Sequence, residues 1–347
     1  MYEIIRFDER EKWEAEVNSV QSCDIYFHLN YCMLYQSLGD GDPYLFVYKT
    51  GENEKVLYPF LKRKVKSGPL SGKYFDITTP YGYGGPLYSK RDPSLVSGFR
   101  SAFRDYCQRE NIVSEFIRFD PLMRNEVALH EWMDVQYVRD TVYIDLICDD
   151  PFSRYHPSHR RNVRKAMKAG LTFEILGALQ ASDEIDTFIH LYYKTMRKNR
   201  ALPYYYFPKS YFKQLLHQLG ENTVMAVIAT DDTIIAAGLF MYEGVYLHYH
   251  LGCSDVNYLH LAPNNLLFHE VALWGKQQGF HYFHLGGGYR NNDSLFQFKR
   301  RFNPAGTIPF YVGRMVHNQS VYDELIRLWN QHNTKMMKTD FFPLYRQ

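Results

Sequence analysis

Short apolar runs bounded by turn residues open the chain's pattern. YLFVYKT (44–50) and KVLYPFLKRKV (55–65) read as two strands, and GENE between them predicts a hairpin. YFDITTPYGYGGPLY (74–88) enters as a strand and dissolves into Pro, Gly and Tyr. SLVSGFRSAFRDYCQREN (94–111) places its apolar residues at helical spacing. VSEFIRFDPL (113–122) is a further strand running into Pro121, and VQYVRDTVYIDLI (135–147) predicts one or two more. The first half is therefore a mixed α/β unit with antiparallel hairpins.

The second half changes period more often. Ser158 to Lys168 is helical, with Gly170 placed to end the helix, and TFEIL follows as a strand. DEIDTFIHLYYKTMRKNRA (183–201) and SYFKQLLHQLG (210–220) are amphipathic helices. TVMAVIATDDTIIAAGLFMYEGVYLHYHLG (223–252) predicts three strands turning at TDDT and YEG. APNNLLFHEVALWGKQQG (262–279) is a helix with Pro263 in its first turn and Gly279 past its end, and HYFHL (281–285) is a strand. Each half holds strands around helices, as two copies of one fold would. The break at DDPFS divides the chain into lobes 1–150 and 151–347, each a mixed, mostly antiparallel sheet flanked by helices.

Composition narrows the class. The chain has 347 residues, a length suited to about two domains. It is 46% hydrophobic and 22% charged, as a protein with a full core should be. A net charge of +2 excludes a strong overall polyanion binder, so any nucleic-acid contact must be local. Five scattered cysteines without a CxxC argue against a disulfide framework or zinc ribbon. With a charged N-terminus and no long apolar run, these features predict a soluble cytoplasmic protein with no membrane span. The 30 tyrosines provide flat surfaces with hydroxyl handles, suited to sugars, nucleotides or ordinary packing.

Candidate chemistry concentrates in FHLGGGYRNNDSLFQFKRRF (283–302). Gly286, Gly287 and Gly288 let backbone approach a ligand closely. Lys299 follows, set between Phe298 and Phe302. Attack of an amine on an ester or thioester passes through an oxyanion, which a fixed ammonium stabilises. The alternative is a lysine whose stem packs on the two phenylalanines while its head stays wet. Upstream, Arg161, Arg164, Lys165 and Lys168 fall on one helical stripe, with Arg154 just before it. Such a stripe either grips phosphates or is a solvated face. TPYGYGGP presents Tyr81 and Tyr83 from a glycine-flexed loop, a platform for a sugar or nucleotide or simply a strand end. Tyr204, Tyr205, Tyr206 and Phe207 line an acceptor groove or plug the domain interface. The histidines lack zinc spacing, so no metal is expected. Cys253 has no evident base, and no GxSxG elbow occurs.

The order of these segments carries a resemblance. SHRRNVRKAMKAGLTFEI, the helix around LYYKTMRKN, the strand pair IIAAGLFMYEGVYLHYHLG, PNNLLFHEVALWGKQQGFHYFHLGGG and DSLFQFKRRF together resemble the second domain of the FemAB/FemX superfamily. RFDP (118–121) and TPYGYGGPLY (79–88) resemble its members from cell-envelope and polysaccharide gene sets. The resemblance implies two GNAT-like lobes and acyl transfer to an amine or hydroxyl of a cell-wall or glycan precursor. It assigns the transfer step to Lys299, next to Phe298, and phosphate binding to Arg154, Arg161 and Arg164. It implies Tyr81 and Tyr83 in the acceptor site, and a sugar-nucleotide, lipid-linked or small-molecule acceptor. It also implies a monomer with no tightly bound cofactor. The acyl donor is a co-substrate, aminoacyl-tRNA presenting its charged 3′ end or else acyl-CoA. The glycine-rich turn that cradles the CoA pyrophosphate is absent from CSDVNYLHLAPNNLLFHE (253–270), which favours the tRNA donor. A glycan- or nucleotide-binding module without chemistry is the non-enzyme alternative.

Overall fold

The computed structural model describes the chain except for residues 22, 52–53, 67, 334–336 and 339. The expected GENE turn includes Glu52 and Asn53, which lie outside the described residues.

The chain runs β1 (Tyr2–Arg6), α1 (Arg10–Asn18), α2 (Leu29–Ser37), β2 (Asp42–Lys49), β3 (Lys55–Lys64), β4 (Phe75–Thr78), β5 (Leu87–Tyr88), α3 (Pro93–Arg109) and β6 (Ile112–Arg118). It continues through β7 (Asp134–Asp145), α4 (Pro157–Lys168), β8 (Thr172–Gly177), α5 (Ala178–Lys198), α6 (Lys209–Leu219), β9 (Thr223–Thr230), β10 (Thr233–Glu243) and β11 (Tyr246–Ser254). It closes with α7 (Pro263–Gln277), β12 (Tyr282–Gly286), α8 (Ser294–Arg300), β13 (Thr307–Val316) and α9 (Gln319–His332).

Two compact units result, Met1–Val138 with Phe310–Gln347, and Arg139–Pro309. This differs from the expected division at residue 150. The chain changes unit inside β7, and the C-terminal segment expected in the second lobe belongs to the first. A change within a strand leaves no turn residues to mark it, whereas the break at DDPFS is only a capped 3₁₀ turn, with Asp150 accepting from the amides of Phe152 and Ser153.

In the first unit the sheet order is β1-β2-β3-β4-β6-β13. All its neighbours are antiparallel except β4 and β6. Helix α3 begins with Asp92 accepting from the amides of Ser94 and Leu95, and Pro93 fills the first helical position. Its Leu95, Phe99, Phe103 and Tyr106 recur at helical spacing and bury against Phe46, Tyr58 and Phe60 of the sheet. Beneath them Arg100 makes a two-pronged pair with Glu115, 3.1 Å on each arm, and His317 Nε2 lies 3.0 Å from the same carboxylate.

In the second unit the order is β7-β12-β11-β10-β9-β8. Here β11 and β12 are the parallel pair, and the other neighbours are antiparallel. Strands β9 and β10 are near-continuous apolar runs because helices cover them, α7 packing on both and α5 reaching β9, β10 and β11. Helix α4 turns His159, Val163 and Ala166 inward.

One topology is thus repeated. A strand, two helices, three antiparallel strands, a helix and a parallel strand follow in chain order. An antiparallel strand from elsewhere in the chain, β13 or β7, then closes each sheet. The expectation of two copies of one fold holds at the level of strand order.

Candidate active site

The parallel pair of the second unit separates early. β11 and β12 are in register only through Tyr246/Tyr282, Leu247/Phe283 and His248/His284. Just beyond, β11 carries a bulge: Leu239 faces Leu251 but Phe240 faces Tyr249, leaving His250 as the extra residue. On the other side β12 ends in the triple glycine. Gly286 adopts φ +71°, which glycine tolerates without strain, and a Cβ on Gly287 would meet the Asp140 carbonyl oxygen at 2.9 Å.

Lys299 reaches the end of these parting strands from α8. Its ammonium donates to the Gly287 carbonyl at 2.8 Å and lies 5.3 Å from the centre of the Tyr249 ring. The side chain is 5% exposed, so the head is not wet as a surface lysine's would be. Burial pushes Lys299 down from 10.5 to about 7, with Asp293 opposing the shift and Arg139 adding to it. Asp293 caps α8, accepting from the amides of Tyr289, Arg290 and Phe296 at 2.6 to 2.9 Å. Those amides outweigh its partial burial and hold its carboxyl below the ordinary value. Arg139 donates to the carbonyls of Gly288 and Tyr289, fixing the loop from β7. Burial first, then His248 and Lys299, hold His284 well below its ordinary value, so a neutral imidazole stands beside the lysine. His250 is held at about 3 by burial and then by His248, and is hydrogen-bonded to the Tyr211 hydroxyl at 2.6 Å.

The structure therefore brings Lys299 and the glycine turn together, through the Gly287 carbonyl. Phe298 plays a different part from a lining residue. Its carbonyl is hydrogen-bonded to His159 Nε2 at 2.9 Å, and its ring packs against His159, Phe268 and Phe302. It seats α8 on α4 and α7, which sets where Lys299 points.

Arg161 and Arg164 lie on the exposed face of α4 with Lys165 and Lys168. The Arg164 guanidinium sits over Phe152 at 5.3 Å. Arg154 is on the preceding turn and is committed to Asp145, at 2.6 Å. It is not part of the stripe. Tyr204 and Tyr206 are exposed, while Tyr205 meets Tyr289 edge-on at 5.2 Å.

Tyr81 and Tyr83 belong to the first unit, in the loop that follows β4. Tyr31 donates to the Tyr81 carbonyl at 2.6 Å, and Tyr83 stands edge-on to Tyr26 and Phe310. Gly82 has φ +93°, and a Cβ there would meet the Tyr26 ring and Tyr31 hydroxyl at 2.8 Å. The loop is held by these contacts and by Asn125, which donates to the carbonyls of Gly84 and Pro86.

Tyr249 and Arg139 carried no sequence signal. Each sits in an ordinary strand pattern, and only the fold brings it to Lys299. Among the described residues no group of three or more His, Cys, Asp or Glu is placed to hold a metal, and no helix is long and apolar enough to cross a membrane.

A sheet with one splayed parallel pair, repeated in one chain, is a tandem GNAT fold, and it is FemX-like in its whole course. Residues 157–300 match the Acetyltransferase (GNAT) domain family. The structure is similar to a crystal structure of FemX, with TM-score 0.71 at 14% identity over 93% of this chain and 99% of that one. It is also similar to L-PGS from Bacillus licheniformis, with TM-score 0.57 at 16% identity over 94% and 97% of the two chains. A tandem GNAT protein from the clavulanic acid biosynthesis pathway aligns with TM-score 0.50 at 11% identity over 90% and 98%. No curated protein matches the chain by sequence.

Proposed function

We propose that the protein is an acyltransferase that moves an activated acyl group, an aminoacyl group from aminoacyl-tRNA, to an amine or hydroxyl of a cell-envelope or glycan precursor. One observation carries this reading. Lys299, almost fully buried, is positioned at the splayed end of the parallel pair with its proton equilibrium near neutrality. In its ammonium form it donates to the oxyanion formed when the acceptor attacks the acyl carbonyl. Collapse of that intermediate expels the donor's ribose oxygen, and the nucleophile's proton leaves to solvent or to an acceptor phosphate. Arg161 and Arg164, in the same unit as Lys299, offer phosphate contacts on an exposed face. The match of residues 157–300 to an acetyltransferase domain supports the transferase class.

A second reading is a CoA-dependent N- or O-acyltransferase on a sugar nucleotide. The match to an acetyltransferase domain favours it. Against it, α7 starts from Ala262, with φ +60° and no side-chain cap, rather than from a glycine-rich turn. Transfer assays with the same acceptor mixture, one supplied with charged tRNA and one with acetyl-CoA, separate the two. Transfer only from tRNA is expected. Transfer only from CoA replaces the first reading with the second, and transfer from neither, with a sugar nucleotide bound, leaves a binding module.

A further inference from the structure

The first unit holds a cation at the place where the second holds Lys299. β4 and β6 are parallel, pair through Thr78/Phe116, then part and meet again only at the bridge between Gly84 and Phe119. Arg118, the last residue of β6, fills the gap. Its backbone amide donates to Thr79 Oγ1 at 3.0 Å, and its Nε donates to the Gly82 carbonyl at 3.0 Å. Its guanidinium is gripped between two rings, 5.4 Å from the centre of Tyr81 and 5.3 Å from that of Phe310. The side chain is half-buried, and among the described residues its two terminal nitrogens meet no hydrogen-bond acceptor or carboxylate.

That combination is unusual for a structural arginine. Elsewhere in this unit, buried Arg100 is matched by Glu115, and partly buried Arg63 by Asp76 at 2.6 Å. The outer edge of the Arg118 fork is instead reached by solvent, where an anion can replace water and gain a charge-assisted, two-pronged contact. The stacking faces and the Nε bond fix the plane of the fork, so its outer edge is oriented before any ligand arrives. The C-terminal ends of parallel strands are also where ligands settle in open α/β sheets.

We propose that Arg118, held by Tyr81, Phe310 and Gly82, is an oxyanion seat that takes the carboxylate or phosphoryl group of a small-molecule ligand in two-pronged fashion. Only the naming of that ligand as the acceptor rests on the acyl-transfer reading; anion binding stands without it. Arg118 is a binding residue and touches no reacting atom.

The test uses the full-length protein with arginine side chains labelled with ¹⁵N, titrated separately with inorganic phosphate and with acetate at ionic strength matched by chloride. The Nε–H signal lost in Arg118→Lys identifies the residue. A saturable shift of that signal is expected, with a dissociation constant on the order of 1 mM for one fork–oxyanion contact. Tyr81→Leu should weaken it about threefold by removing one stacking face. Response to phosphate alone names a phosphoryl ligand, to acetate alone a carboxylate, and to each a general oxyanion seat. A signal that moves with neither anion, or no more than with chloride, overturns the proposal. Because the reading comes from the unmodified protein, a misfolded variant does not rescue it, and because no transfer is measured, it fails or succeeds apart from the acyltransferase assay.

Discussion

Replacing Lys299 with methionine tests the buried amine directly. Methionine keeps an unbranched chain of similar length and removes only the titrating head and its bond to the Gly287 carbonyl. The fall from 10.5 to about 7 corresponds to roughly 5 kcal/mol between the protonation states, at about 1.4 kcal/mol per tenfold change. The sign follows from proton counts. Between those two values the unfolded lysine holds a proton that the folded one has released, so rising pH stabilises the fold. This contribution is fully present above 10.5 and is lost as pH falls through about 7. Urea unfolding at several pH values should therefore show wild-type stability climbing relative to Lys299→Met by about 1.4 kcal/mol per pH step between about 7.5 and 9.5. Below about pH 6.5 the difference should be flat, with the variant the more stable. Acyl transfer should be lost by a factor of about 10²–10³ in the same variant, since one oxyanion donor is gone. Parallel stability curves across the alkaline range would mean that the amine keeps its ordinary affinity for protons, and the burial argument would be wrong.

A pH profile and two substitutions elsewhere extend the test. Wild-type turnover should decline as pH rises through about 7, where Lys299 loses its proton, and Lys299→Arg should abolish that limb while recovering little rate; a limb that persists in the arginine variant assigns it to another group. Glu115→Gln should cost about 3–5 kcal/mol by urea unfolding, since it leaves Arg100 buried without its carboxylate; burial alone would raise Glu115, but Arg100 and His317 hold it at about 2, so the wild-type advantage should be present above about 4.5 and fade as pH falls through about 2. Gly82→Ala should cost about 1–3 kcal/mol in thermal unfolding and weaken phosphate binding at Arg118, because the positive φ and the Tyr26 and Tyr31 contacts leave no place for a methyl group; an unchanged midpoint would show the loop to be looser than its contacts indicate.

The second unit was the more legible in sequence. Helices α4 to α7 and strands β8 to β12 follow the apolar spacing closely, because each is a regular element with turn residues at its ends. The glycine turn and Lys299 were also readable, since aromatic residues on either side of a lysine suggested a placed charge. What escaped was non-local. α1 buries only Trp13 and Val17, so its apolar signal is thin. β13 reads as the tail of the second lobe, yet it pairs Val312 to Val316 with Arg118 to Ser114 of β6. RFDP was visible as a motif, but that its arginine lies between two rings depended on Phe310, far away in the chain. Arg154 lies beside the basic stripe in sequence, but its pairing with Asp145 nine residues earlier is set by the fold and left no sequence signal.

The lending of β13 to the first unit has a consequence for synthesis. Residues 139–309 form a continuous stretch, so the second unit has all its strands once that stretch has left the ribosome. The first unit begins earlier but lacks the strand that pairs with β6, and the helix α9 packed beside it, until the final residues emerge. The N-terminal sheet must wait with an unpaired edge while the later-made part is completed, an inversion of the usual order in which the N-terminal domain folds first. Chains stalled so that residue 309 has just cleared the ribosome should accordingly protect the inner segment from protease while the N-terminal segment remains cleavable.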